Sequence, residues 1–454
     1  MNRLFIAFVL FVSSSFNNTV IANNYQKTLL TPVQVQEDLD QWLTFLQETH
    51  PDLSYRIKDV AAFKANVEKL KVDTKEPITV HEFWKRVSVF NSVLRDGHTV
   101  INFPKMKTMA NAHINEGGAL FPFKVFFQGH ELFIKANAND TASNLTGSQI
   151  THINGLPINN FIEPLLKRTN GDSDTFRRAL LERRFAEYVW LYYGESSEFS
   201  IKFIKSGVSI ADTFKASRTT FNVDDVFEDE FKFEFLDEKN ALLTINTFSW
   251  GAEYKEVVNF LQNVFQRLQT SSVEHLIIDI RENGGGDDVI WIDGILPYIA
   301  DKKWRTGGDF RVRMLAGREQ DGHKAGDVVD GENSFKDYYP EKEKFKGDVS
   351  VLISKFTYSS SILFANVIQD FGFGELVGES TGGMTNQTGG TQAISLKHSK
   401  LRAIVPFFYL KRPKGAEDFQ TVQPDIEIAY DKTKPYELVD KLIEYRSTKN
   451  DVSE

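Results

Sequence analysis

The chain has 454 residues, 41% hydrophobic and 25% charged, enough material for two or three domains with cores of their own. Its 53 basic and 62 acidic residues leave a net charge of −9 with no Lys/Arg cluster, which excludes the charge pattern that nucleic acid requires. Cysteine is absent, and with it any disulfide framework, thiol nucleophile or lipid-attachment cysteine.

Residues 1–22 have the layout of a signal peptide. Arg3 supplies the positive start, residues 4–12 an apolar core, and Val20-Ile21-Ala22 a small-residue cleavage site. That core is too short to span a bilayer, and no other apolar run is long enough. The expectation is an exported protein, periplasmic or secreted, without stable membrane insertion.

Residues 23–115 read as a helical domain. Thr31-Pro32 opens a helix with Leu39, Trp42, Leu43 and Leu46 on one face. A second helix starts at Thr79 with Glu82 completing a capping box, carries Phe83, Trp84, Val87, Phe90 and Leu94 as its stripe, and ends at Gly97. His98 follows at once, leading into an apolar strand. An imidazole past a helix C-terminus can serve the dipole alone or do chemistry, and the spacing does not choose.

Residues 116–215 change character to a small α/β module. Residues 120–125 and 131–134 alternate as strands, 147–155 put a strand before an Asn154-Gly155 turn, and 161–166 and 176–193 read as helices.

Residues 216–454 carry alternating strands and helices. A hairpin covers 231–245, an amphipathic helix 254–268 and a buried strand 275–280, before Arg281-Glu282-Asn283-Gly284-Gly285-Gly286 and a helix over 289–299. A strand at 349–353, the turn Thr357-Tyr358-Ser359-Ser360-Ser361, a helix stopped by Gly372 and a strand at 376–377 close the pattern. Such alternation predicts right-handed crossovers, a mainly parallel sheet and a site at the strands' carboxyl ends. Both the glycine run and Ser359 lie at such ends. The serines could cap the helix or supply a nucleophile. The glycines could make a tight turn or an oxyanion hole; no Gly-Lys-Ser/Thr follows them, so they are not a phosphate loop. No metal motif and no cofactor-binding pattern is present.

Together, Arg281 to Gly286, Thr357-Tyr358-Ser359, Val377-Gly378-Glu379, Thr381-Gly382, Asp96-Gly97-His98-Thr99 and Val422-Gln423-Pro424-Asp425 resemble the carboxy-terminal processing (tail-specific) serine peptidases. The resemblance implies an α/β multidomain protein: a helical N-terminal domain, a PDZ-like module including 147–155, and a ClpP/crotonase-like core. It also implies an enzyme that acts on protein or peptide substrates. Two departures stand out. Met384 occupies the position where many members carry a catalytic Lys, and Ile362 the position of a common acidic residue. The resemblance therefore points to the tricorn-type branch, with Ser359 as nucleophile, His98 as base and Asp418 or Glu417 orienting the imidazole. Gly285, Gly286 and Ser360 would form the oxyanion hole. The family's retinoid-binding members imply a rival reading, a ligand or peptide binder on the same scaffold, for which 38 Phe residues would supply a pocket. Oligomeric state and cleavage preference are not legible.

Overall fold

The computed structural model describes residues 28–417 and 419–453. The expected signal peptide and Asp418 lie outside them. A six-stranded sheet organises the C-terminal half, in the order Phe231–Phe235, Asn240–Ile245, His275–Asp279, Asp348–Ile353, Glu375–Gly378 and Ile426–Glu427. Only the first pair is antiparallel. Residues of the central strands alternate between two cores, as the pleat requires. Leu276, Ile278, Val351 and Ile353 pack with the helices Tyr254–Gln269 and Ser360–Phe371, whereas Ile277 and Leu352 pack with Leu438, Val439 and Leu442 of the helix Glu437–Ser453. Covered on both faces, His275–Asp279 is buried at every position.

A second sheet, wholly antiparallel, runs Val328–Glu332, Asp309–Arg313, Arg402–Leu410 and Gln387–Ser395. The strand Val100–Asn102 joins it by pairing with Arg402–Leu410, Val100 opposite Ile404. This pairing ties the segment just after His98 to the C-terminal half. Leu396, Leu401, Ala403 and Val405 accordingly pack into the same core as Trp42, Phe83 and Trp84.

A third sheet holds Phe123–Gln128, Glu131–Asn137, Gln149–Ile153, Glu198–Lys205 and Val208–Lys215, all antiparallel. With the two-stranded antiparallel pair Leu29–Leu30 and Ile78–Thr79, the architecture among the described residues is thus mixed, three antiparallel sheets beside the largely parallel one. Its antiparallel strands 387–410 escape sequence reading because Gln387-Thr388-Gly389-Gly390 is polar and glycine-rich at a strand start, where such residues ordinarily mark a turn.

Three of the expected helices depart from expectation at their ends or along their length. The helix opened by Thr79 divides into Val80–Val87 and Phe90–Leu94, with Ser88 Oγ donating back to the Trp84 carbonyl at 2.6 Å. It ends at Arg95, left-handed at φ 49°, rather than at Gly97. Thr79 does cap Glu82, but Glu82 spends its carboxylate on Arg86, so the box is half made. The helix expected over 289–299 breaks at Ile295, just before Pro297, and that over 176–193 breaks at Arg184. Helices Val60–Asp73 and Met106–Asn115 have no counterpart among the expected elements.

Candidate active site

The turn carrying Ser359 is tied to the loop that leaves the neighbouring strand. Ser354 Oγ donates to the Arg281 carbonyl at 2.6 Å, Thr357 Oγ1 to that of Ile280 at 3.1 Å, and the Tyr358 N–H to that of Asn283 at 3.1 Å. These bonds hold Ser359 at φ 55°, ψ −126°, a backbone state that costs a non-glycine residue about 1–3 kcal/mol. Ser359 stands at the N-cap of the helix Ser360–Phe371, yet its side chain makes no capping bond. It is turned to His98 instead: Ser359 Oγ lies 2.9 Å from His98 Nε2. The hydroxyl of Ser360 is not a cap either, since it meets Trp291 Nε1 and the carboxyl of Asp288. Burial pushes that carboxyl up to about 6.

His98 reaches this hydroxyl because Asp96 and Asp172 shape its turn. Asp96, buried, accepts the His98 N–H at 2.9 Å and the Thr99 hydroxyl at 2.6 Å. Asp172, also buried, accepts the Gly97 N–H at 2.7 Å. Gly97 is needed for close approach: a Cβ there would stand 2.3 Å from Tyr358 Oη. The imidazole lies tilted against the Tyr358 ring, centroids 4.8 Å apart, and Tyr358 stacks on Phe176 at 4.1 Å. Nδ1 meets two hydroxyls, Thr388 Oγ1 and Tyr358 Oη, each at 3.1 Å. Burial pushes the His98 pKa below its ordinary 6.5; the charges of Asp96 and Asp172 oppose the fall and that of Arg56 adds to it.

Neither expected acid is seen on this ring. Glu417 is exposed, and Asp418 is outside the described residues. Among the described residues the carboxylates near His98 belong to Asp96 and Asp172, to which the sequence alone assigns no role. Asp96 stands within the Asp96-Gly97-His98-Thr99 run, and that adjacency is the available signal.

The glycine loop lies against the nucleophile turn. A Cβ on Gly285, at φ 99°, would sit 2.6 Å from that of Ser359. Its N–H, however, donates to Asn283 Oδ1 at 2.9 Å, so Gly285 does not offer the free donor expected of it. Among the described residues the N–H groups of Gly286 and Ser360 have no acceptor, the second because it opens a helix. Beside the loop is a cavity of about 430 Å³, lined by Arg183, Glu230, Asn246, Thr247 and Glu282.

Residues 239–428 match peptidase family S41. The chain carries a peptidase family S41 domain. That domain spans the six-stranded sheet from Asn240–Ile245 onward, the glycine loop and the Ser359 turn, in line with the resemblance to carboxy-terminal processing peptidases. A tail-specific protease of Haemophilus influenzae is 27% identical over 154 residues, which is 33% of this chain and only 18% of that protein. Two solved structures share the fold of this chain. Mature CPAF is 13% identical with a TM-score of 0.63, over 87% of this chain and 93% of that one. Mature CPAF complexed with lactacystin is likewise 13% identical at 0.63, over 92% and 98%. No helix among the described residues is long and apolar enough to cross a membrane.

Proposed function

We propose that the chain is an exported serine peptidase of family S41 in which Ser359 is the nucleophile and His98 the general base. The observation that carries this reading is the 2.9 Å contact between Ser359 Oγ and His98 Nε2, made by a serine held in a strained turn and relieved of any capping duty. Ser359 Oγ attacks a peptide carbonyl carbon while its proton passes to Nε2. The carbonyl oxygen takes the negative charge, stabilised by the free N–H of Ser360 at a helix N-terminus and by that of Gly286 in the glycine loop. His98 then returns the proton to the leaving amine as the C–N bond breaks, and water releases the acyl group by the reverse sequence.

The substrate class is a protein or peptide, supported by the family match. In this reading 23–115 supplies the base, 116–215 is a PDZ-like module, 216–454 is the catalytic core, and the 1–22 segment directs export.

Cleavage of an unfolded protein, read as new termini by mass spectrometry across pH, tests the proposal. The base works unprotonated, so a pKa below 6.5 keeps it competent at pH 6.5, and the acid limb of kcat/KM is expected below that value. Binding without cleavage at any pH would favour the ligand-binding alternative. An acid limb well above 6.5 would remove His98 as its source.

A further inference from the structure

The carboxylates beside His98 do not touch its ring nitrogens; hydroxyl groups stand between. Thr388 Oγ1 donates to Asp96 Oδ1 at 2.7 Å, and Tyr358 Oη to Asp172 Oδ1 at 3.1 Å. Each hydroxyl has a single hydrogen, and each sends it to a buried carboxylate. What each oxygen turns to Nδ1 is therefore a lone pair. Two lone pairs facing one nitrogen are satisfied only if that nitrogen carries the hydrogen. Nδ1 is then protonated, Nε2 is left bare, and the bare nitrogen is the one 2.9 Å from Ser359 Oγ.

We infer that Thr388 and Tyr358 are positioning residues that fix the His98 tautomer, each by linking Nδ1–H to a carboxylate one bond further away. The inference rests on the nucleophile and base reading of Ser359 and His98, and it assigns to Asp96 and Asp172, acting through hydroxyls, the task that a directly bonded acid would perform. Both carboxylates are well supported in it. Burial raises the Asp96 pKa, but His50, whose Nε2 lies 3.7 Å from Oδ2, and the charges of His98 and Arg56 more than offset that and hold it well below the usual carboxylate range. Asp172 also receives the Met384 N–H at 3.1 Å and faces Arg56 Nη2 at 3.8 Å. The Tyr358 hydroxyl keeps its proton: burial raises its pKa well above 10, and Asp172 and Asp96 raise it further.

Thr388 sits on Gln387–Ser395, opposite Tyr409 of the strand that also pairs with Val100–Asn102. One sheet thus aligns the relay hydroxyl with the segment that delivers the histidine.

The test compares Thr388→Val, which keeps the shape and removes the hydroxyl, with Thr388→Ser, which keeps the hydroxyl. Thr388→Val is expected to lower kcat by about 10–100-fold with KM little changed, the range seen when the partner behind a metal-ligating histidine is removed. Its acid limb moves to lower pH, because the imidazolium loses its path to Asp96, and Thr388→Ser restores both. Tyr358→Phe should lower kcat in the same sense. Independently of any variant, the imidazole ¹⁵N resonances of His98, assigned by their loss in His98→Gln, should show a protonated Nδ1 and a bare Nε2 near pH 8. A protonated Nε2 would overturn the inference, as would a Thr388→Val enzyme with wild-type kcat and acid limb, or an equal loss in Thr388→Ser. If Ser359→Ala abolishes cleavage while Thr388→Val does not affect it, this inference alone fails. If Ser359→Ala leaves cleavage intact, the reading beneath it fails.

Discussion

Ser359→Ala is expected to lower kcat/KM for peptide hydrolysis by about 10⁴-fold or more, with the fold retained. The size follows from the covalent route: without Oγ no acyl-enzyme forms, and what remains is whatever the oxyanion donors and substrate binding supply to a direct attack by water. Structure should survive because, among the described residues, the Ser359 hydroxyl caps nothing and bonds only His98. The replacement still occupies φ 55°, so its backbone strain persists and is not enlarged by a new side chain. A stability change within about 1 kcal/mol, or roughly 2–4 °C in Tm, is anticipated. Circular dichroism and a melting curve beside the kinetic assay separate loss of chemistry from loss of fold. Retained hydrolysis in this variant would contradict the nucleophile assignment.

His98→Ala should cost nearly as much, again about 10⁴-fold or more, because a serine hydroxyl without a base at Nε2 is a poor nucleophile at neutral pH. Nucleophile and base act as one unit, so the Ser359→Ala/His98→Ala double variant should be no slower than either single one. Additive losses would show that the two side chains act separately. Truncation also removes the ring from its place against Tyr358, so some melting-point loss is expected, and His98→Gln is the gentler control.

Much of this site was legible in the chain, for a physical reason. Asn283 and Ser359 sit where strands end and helices begin, and local patterns of β-branched runs, glycine and serine mark such junctions strongly. The buried strand His275–Asp279, the helix Tyr254–Gln269 and the turn at Ser359 could all be read because each is set by its own few residues. Local residues offer His98 only as a candidate, and the family resemblance alone pairs it with Ser359, since its reach to Ser359 depends on the pairing of Val100–Asn102 with Arg402–Leu410, a contact across some three hundred positions. Local signals carry nothing of that kind. Thr388 was missed for the same reason: its strand begins in a polar, glycine-rich stretch, and its role exists only once Asp96 and His98 stand beside it. The Gly285 N–H was misjudged because a glycine's freedom says that a donor can point at substrate, not whether Asn283 has already taken it. Helix ends erred where one side chain, such as Ser88 or Pro297, outweighs a continuous apolar stripe.

Labelling with a fluorophosphonate tests the central claim most directly, because the reagent records only a serine made nucleophilic by its surroundings. The account predicts one stoichiometric adduct, mapped by mass spectrometry to Ser359 and suppressed in His98→Ala. An adduct on another serine, or an unlabelled wild-type protein that is folded and binds peptides, would contradict it.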